Sequence, residues 1–556
     1  MIYQLYLNFI KENLFLYIIY ICTFLYIPLN KVALPHYYGQ LISIIKKKNM
    51  RDIKITFSIL ILIWILYQFL NLTSGRIGSK IEPKFISYVR KYIIEEVIDR
   101  HKNNYDDLKT GEILTKIINS PYILFDVFST VRSFLFSNLF FVISTFIYLF
   151  YHNKILGITY LFCIGLVALV CYKYTQTCEK KVINSEVKYD ETHEEIEDTL
   201  SNLISIYTSN RTNEEKKRLG IFSTETSNKE IELNRCNNNF KIMYSILFVF
   251  IFIVLNVLSF GLYLKNKFKI ETLVSVVIIN YSILTTLMSI YYDTRFFIDT
   301  KGRLDILKKF LNKFPKKDNT KYDKKIENKL DKYQDLQINI KNLHFSYGEK
   351  NVLDNINVSF PKITTALIGG IGSGKSTLSK LIVRLRDYKK GKIMLNDIEI
   401  NKIPIEKLRS IIGYIPQHPK LFNRTLYDNI NYGLDKQVPI DKIYQVLRKN
   451  NLTDIMTDFK RLMTKKVGKN GSLLSGGQRQ IVWILRFIFN NHKIVILDEP
   501  TSSLDNKNKL KVVSLIKELE KTKTIILITH DNELLKYTKR IIELKKGQVI
   551  SDNFLK

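Results

Sequence analysis

The stretch GGIGSGKST, Gly369 to Thr377, stands between an apolar run (TTALIG) and a helical pattern (KSTLSKLIVRL). It fits G-x-x-x-x-G-K-[ST] in the strand, loop and helix context that this motif requires. Glycines here let backbone N–H groups close around phosphate oxygens, and the N-terminus of the following helix favours negative charge. Gly369, Gly370, Ile371, Gly372, Ser373, Gly374 and Thr377 form the cradle, Lys375 reaches the β and γ phosphates, and the Ser376 hydroxyl is placed to ligate Mg²⁺. Alone, the motif means nucleotide binding and nothing finer.

A second motif narrows the chemistry. In KIVILDEP the apolar strand Ile494 to Leu497 ends in Asp498 and Glu499. Asp498, at the strand tip, is placed to hold Mg²⁺, directly or through water, as the acidic partner of the loop, and Glu499 is the candidate base that polarises the attacking water.

The stretch LSGGQRQ, Leu474 to Gln480, stands just before that acidic strand, and FSYG (Tyr347), GYIPQ (Gln417), TSSLD (Asp505) and ITH (His530) complete an ordered set. The set resembles the signature series of ATP-binding cassette (ABC) proteins and covers the whole C-terminal region. The resemblance implies that Tyr347 stacks on adenine and that Asp505 joins the nucleotide-binding set. Gln417 would sense the γ phosphate and stand with Ser376 and Asp498 at the metal, while His530 would contact the γ phosphate and position Glu499. It also implies that Ser475, Gly476, Gly477 and Gln478 face the nucleotide of an opposite cassette. One chain carries one cassette, so a second half-transporter is required. A homodimer is the default because symmetric dimers are the commonest oligomers, and a heterodimer satisfies the same geometry.

Upstream, six apolar runs approach the roughly 20 residues that a bilayer-crossing helix needs. They are Leu14 to Leu29, Ile55 to Leu72, Phe134 to Phe150, Ile155 to Tyr172, Ile242 to Leu264 and Leu273 to Ile290, and none contains an ionisable side chain. Short links join runs three and four and runs five and six. Long amphipathic, charged stretches separate two from three and four from five, so two arms project from one side. Six crossings place the N-terminus, both arms and the C-terminal domain together, on the cytosolic or equivalent ATP-containing side. Against this, the short far-side loop carries Lys46, Lys47, Lys48, Arg51 and Lys54, which the positive-inside tendency disfavours.

The N-terminal MIYQLYLNFIKEN has no cationic leader or small-residue cleavage site, so the first run reads as a retained span. ALPHYYGQLI, near Pro35 and Gly39, and TGEILTKI, Thr110 to Ile117, resemble the exporter-type membrane domain. Lys, Asp and Asn dominate from Lys308 to Tyr333, a connector, and period-two alternation begins at Leu336. The expected organisation is a helical six-span transmembrane domain of the ABC exporter type with two long cytoplasmic arms (1–305), a charged linker (306–335), and an α/β P-loop NTPase nucleotide-binding domain (336–556).

Composition sets the outer bounds. At 556 residues the chain exceeds one compact core, and its 46% hydrophobic content is concentrated in the first half. The formal charge of +32 would suggest nucleic acid, but the lysines are spread among Asn, Ile, Tyr and Phe, as an AT-rich coding sequence would give. No nucleic-acid partner follows; a basic surface near anionic headgroups is the lesser alternative. The five cysteines show no CxxC spacing, so neither a disulfide scaffold nor a zinc site is expected.

Two features depart from the family pattern. Lys469 replaces a usual acidic residue before the signature, and Trp483, Leu485 and Phe487 replace small residues after it, which demands repacking. The competing readings are an exporter or lipid flippase, an ATP-binding membrane scaffold without transport, and a soluble-type cassette ATPase. The uncharged spans lean toward lipid, hydrophobic small-molecule or peptide cargo, with Asn138, Asn256 and Asn280 either lining a cavity or packing helices. The arm tips, Asn104 to Leu108 and Tyr207 to Glu215, are the expected coupling contacts.

Overall fold

The computed structural model describes residues 2–46, 48–103, 110–312, 314–315, 324–452, 459–502, 504 and 506–555. Two compact units divide them: Met1–Ile98 with Leu108–Phe314, and Asp99–Asp107 with Pro315–Lys556.

The first unit is helical. After Ile2–Glu12 come six helices long and apolar enough to cross a membrane: Leu14–Lys46, Met50–Arg100, Lys116–His152, Lys154–Ser201, Thr212–Leu264 and Ile270–Asn312. Each expected apolar run lies inside one of them. The helices extend far beyond the runs because the charged arms keep the same 3.6-residue period and bury one stripe against each other. Along Lys154–Ser201 and Thr212–Leu264 that stripe includes Tyr174, Val182 and Phe240. The Tyr174 ring stacks on Phe240 with centroids 3.7 Å apart, and the Tyr174 hydroxyl donates to Asn237 Oδ1 at 2.5 Å.

Two expectations need correction. Cys178 and Cys236 form a disulfide across this helix pair, with Cα atoms 6.1 Å apart. Their sequence separation of 58 gives no spacing signal, and only the antiparallel hairpin makes them neighbours. The expected runs are uncharged, but the first helix continues through Pro28 and a short π-helical turn at Leu29–Ala33 into Lys31. Lys31 Nζ donates to Thr286 Oγ1 at 2.7 Å and lies 4.9 Å from the Phe141 ring centroid, so a polar partner and an aromatic face receive the ammonium. The three asparagines hydrogen-bond between helices: Asn138 Nδ2 donates to Asp293 Oδ2 at 2.7 Å, and Asn280 Nδ2 to Asn256 Oδ1 at 3.2 Å.

In the second unit, the alternation from Leu336 becomes strands β1 (Ile338–Tyr347) and β2 (Lys350–Phe360), paired antiparallel. With β4 (Lys390–Leu395) and β5 (Ile398–Glu399) they form a sheet of order β2-β1-β4-β5. The other sheet has the order β10-β9-β3-β8-β7-β6: β3 (Thr365–Ile368), β6 (Ile412–Ile415), β7 (Ile494–Asp498), β8 (Thr524–Ile528), β9 (Arg540–Lys545) and β10 (Gln548–Phe554). All its pairings are parallel except β9 with β10. Strands covered on both faces read as unbroken apolar runs, which is why β7 (IVILD) and β8 (TIILI) show no alternation and are buried throughout. The sheet ends bring the phosphate loop after β3, the acidic pair after β7 and His530 after β8 to one edge.

The bulky residues after the signature have a local explanation. Leu485 is fully buried, Trp483 Nε1 donates to Lys420 O at 3.1 Å, and the Phe487 ring occupies the space over Gly413 that a Cβ would fill. Segment Asp99–Asp107 also belongs to this unit: Lys102 Nζ meets Glu406 Oε1 at 2.8 Å, and Arg409 Nη2 donates to Lys102 O at 2.6 Å. The expected contact segment Asn104 to Leu108 lies outside the described residues, and Tyr207 to Glu215 belongs to the first unit.

Gly413→Ala should lower the thermal midpoint of the purified chain, at an overpacking cost of about 1–3 kcal/mol. Combining it with Phe487→Leu should recover most of the loss. Equal midpoints for Gly413→Ala and the parent would show that the ring does not need the missing side chain.

Candidate functional site

The phosphate loop is shaped by backbone that L side chains rarely adopt. Gly369 and Gly374 have φ of +142° and +103°, and a Cβ on Gly374 would meet Leu353 Cδ2 at 2.5 Å and Val352 O at 3.1 Å. Gly374 caps the helix Lys375–Ile382, which aims its first N–H groups back into the loop. Gly370, Ile371 and Gly372 form the exposed rim, while Ser373 and Lys375 are buried and Ser376 and Thr377 half-buried. Lys375 Nζ donates to Gly369 O at 2.5 Å, Gly370 O at 3.0 Å and Ser373 Oγ at 3.4 Å. Burial pulls the Lys375 pKa below the ordinary lysine value, and the Glu499 and Asp498 carboxylates oppose that shift.

Across from the loop, Asp498 is 2% exposed at the end of β7. It accepts from Ser376 Oγ at 3.2 Å through Oδ1 and from the Tyr414 hydroxyl at 2.9 Å through Oδ2. Burial raises its pKa above the usual carboxylate range, partly offset by those two hydrogen bonds. A buried carboxylate beside a hydroxyl on the phosphate side is the donor set a hard divalent cation takes, so Asp498 and Ser376 fit Mg²⁺.

Glu499 leaves the strand with φ of +48°, a left-handed conformation costing on the order of 1–3 kcal/mol for such a residue. That turn separates it from Asp498. Its amide donates to Ile528 O at 2.9 Å, Gln417 Nε2 donates to its Oε2 at 2.6 Å, and His530 Nε2 lies 4.0 Å from its Oε1. Gln417 is therefore held against Glu499, while Ser376 and Tyr414 hold the metal-type carboxylate. Gln480 Nε2 donates to Gln417 O at 3.1 Å, tying the signature helix to this loop.

Tyr347 lies at the end of β1, its ring edge-on to Phe345 at 4.9 Å and 5.4 Å from the Arg386 guanidinium. Ser475 caps the helix Gly476–Phe489 through a capping box: Gln478 N donates to Ser475 Oγ at 3.2 Å, and Ser475 N donates to Gln478 Oε1 at 2.9 Å. A side chain on Gly477 would run into Leu504. Asp505 lies outside the described residues. Loop, acidic pair, Gln417 and His530 thus converge, whereas Ser475 to Gln478 form a separate helix N-terminus. Sequence reasoning missed Tyr414, although it lies in the GYIPQ stretch quoted for Gln417; nothing in its spacing reveals a hydroxyl aimed at a carboxylate one strand away.

The arrangement is that of a P-loop nucleotide-binding domain in a chain that also carries six membrane-length helices. Residues 17–289 match the family described as the ABC transporter transmembrane region, and 353–502 match the ABC transporter family. An ATP-dependent lipid A-core flippase of Francisella novicida is 34% identical over 217 residues, which are 39% of this chain and 37% of the flippase. The alignment therefore spans little more than a third of that relative. ABC transporter B family member 1 of Dictyostelium discoideum is 24% identical over 532 residues, 94% of this chain and 57% of that protein. A bacterial Atm1-family ABC exporter solved with ATP bound superposes with a TM-score of 0.82 at 16% identity, covering 98% of this chain and 95% of that one, a likeness of fold. The chain belongs to the ABC transporters, with the architecture of an exporter-type half-transporter.

Lys375→Met separates function from stability. Affinity for a fluorescent nucleoside triphosphate should fall about tenfold or more, the scale of a lost charge-assisted hydrogen bond. The nucleotide-free thermal midpoint should hold or rise, because a desolvated ammonium is removed. A lysine with a lowered folded pKa gains stability as pH climbs from that pKa toward the ordinary value, so the variant should also flatten the rise in midpoint on the alkaline side.

Proposed function

We propose that two copies of this chain, or one copy and a related half-transporter, hydrolyse ATP to export or flip an amphipathic substrate across the bilayer by alternating access. The observation that carries this reading is the Glu499 carboxylate, held by Gln417 at 2.6 Å and flanked by His530 at 4.0 Å at the same sheet edge as Lys375 and Ser376. In the reaction a water attacks the γ phosphorus in line with the bond to the β–γ bridging oxygen. Glu499 takes the water proton, the bridging P–O bond breaks, and ADP leaves with that electron pair as inorganic phosphate forms. Gln417 and His530 orient Glu499, Lys375 and the loop amides hold the β and γ oxygens, and Tyr347 stacks on adenine. Asp498 and Ser376 would hold Mg²⁺, which when bound neutralises charge on the β and γ oxygens.

The assembly follows from the signature helix. Ser475, Gly476 and Gly477 would bring backbone donors, with Gln478 beside them, to the triphosphate held by the other chain, so ATP closes two cassettes that neither chain completes alone. Asp505 would border the same nucleotide. Closed-state ATP binding supplies the differential affinity that drives the membrane helices between inward and outward access. The cassette faces the cytosol or another ATP-containing side, and the charged segment 306–335 links it to the membrane domain. The named activity of the Francisella novicida relative favours lipid cargo, and the uncharged runs suit lipid, hydrophobic small-molecule or peptide cargo.

Glu499→Gln in proteoliposomes tests the proposal. Steady-state hydrolysis should drop by about 10²-fold or more, the usual contribution of a general base, while ATP binding persists and substrate-stimulated turnover in a lipid, drug and peptide panel disappears. A variant that changed neither ATP turnover nor substrate movement would leave a nucleotide-binding scaffold as the reading.

A further inference from the structure

The hydroxyl of Tyr414 reaches across one strand to a carboxylate that the phosphate side needs. Tyr414 is on β6, the last strand of the sheet, and is registered opposite Ile496 of β7, two residues before Asp498. Its ring spans that offset, and the hydroxyl donates to Asp498 Oδ2 at 2.9 Å while Ser376 Oγ donates to Oδ1 at 3.2 Å. The ring also lines a groove of about 530 Å³ with Arg409, Pro416, Trp483 and Phe487.

A buried carboxylate with two distinct neighbours is not fixed by its own torsions, because the terminal torsion of Asp is broad and roughly two-fold. Two hydrogen bonds from opposite sides fix it. Ser376 alone cannot, since the same hydroxyl is the group that faces the metal and triphosphate. Without the Tyr414 hydroxyl, Oδ2 would be a buried acceptor short of a partner, and the carboxylate would gain from rotating toward whatever donor it could find.

We infer that Tyr414 is a positioning residue for the metal–triphosphate site, fixing Asp498 so that its other oxygen stays aimed at the cation beside Ser376. This rests on the reading of the chain as a Mg²⁺-dependent ATPase. Tyr414 acts through Asp498.

The experiment uses full-length protein in proteoliposomes and the variant Tyr414→Phe, which keeps the ring and removes one oxygen. Mn²⁺ binding to the nucleotide-loaded protein, read by electron paramagnetic resonance, and the Mg²⁺ midpoint for hydrolysis should both weaken about tenfold, the low end for loss of a partner to a metal ligand. The KM for ATP at saturating Mg²⁺ should stay close to the parent, the nucleotide-free thermal midpoint should fall only modestly, by the cost of one unpaired buried acceptor, and excess Mg²⁺ should restore turnover. An unchanged Mn²⁺ affinity overturns the inference. So does a turnover loss that excess Mg²⁺ does not repair, which marks a structural defect. A parent chain that binds Mn²⁺–ATP but turns nothing over sinks the hydrolysis reading instead, and the Mn²⁺ comparison still decides the role of Tyr414.

Discussion

Two adjacent carboxylates must be kept apart and differently employed at the end of a strand that is buried throughout, and the second unit is arranged around that requirement. The repulsion between like charges so close is tolerable only when each finds its own partners. The backbone solves part of the problem: the left-handed turn at Glu499 sends its side chain toward Gln417 and His530, leaving Asp498 with Ser376 and Tyr414. The parallel sheet solves the rest, because strands β3, β7 and β8 end at one edge and bring donors from three separate stretches of chain to that point.

The motifs legible in the sequence were those whose chemistry is set by local spacing. Glycines at fixed offsets from Lys375, an acidic pair ending an apolar strand, and the contiguous stretch LSGGQRQ each signal through neighbours in the chain. The six apolar runs were legible for the same reason, since a bilayer demands contiguous length. What spacing could not carry was anything fixed by tertiary approach. Tyr414 and Asp498 are 84 residues apart, Cys178 and Cys236 are 58 apart, and Lys31 and Thr286 are 255 apart. The three asparagines in the apolar runs were ambiguous until their partners Asp293 and the Asn256–Asn280 pair were visible. Of the bulky residues after the signature, which looked like a departure, Phe487 is explained by the absent side chain at Gly413, more than seventy residues upstream.

Within the first unit, aromatic residues do much of the fastening. Phe85 and Phe128 stack at 4.8 Å, with Phe9 edge-on to Phe85 at 5.0 Å, so the N-terminal helix Ile2–Glu12 is pinned by rings. Large flat surfaces bury much apolar area with few rotatable bonds.

The Lys154–Ser201 and Thr212–Leu264 helices, of 48 and 53 residues, measure roughly 70–80 Å at 1.5 Å per residue, against about 30 Å of hydrocarbon. Some 40 Å of rod therefore stands outside the membrane as a lever. The Cys178–Cys236 bond and the Tyr174–Phe240 stack fasten its two limbs to each other. A tilt of about 5° where the rods enter the lipid displaces their far end by some 3–4 Å, about two residues of helical rise.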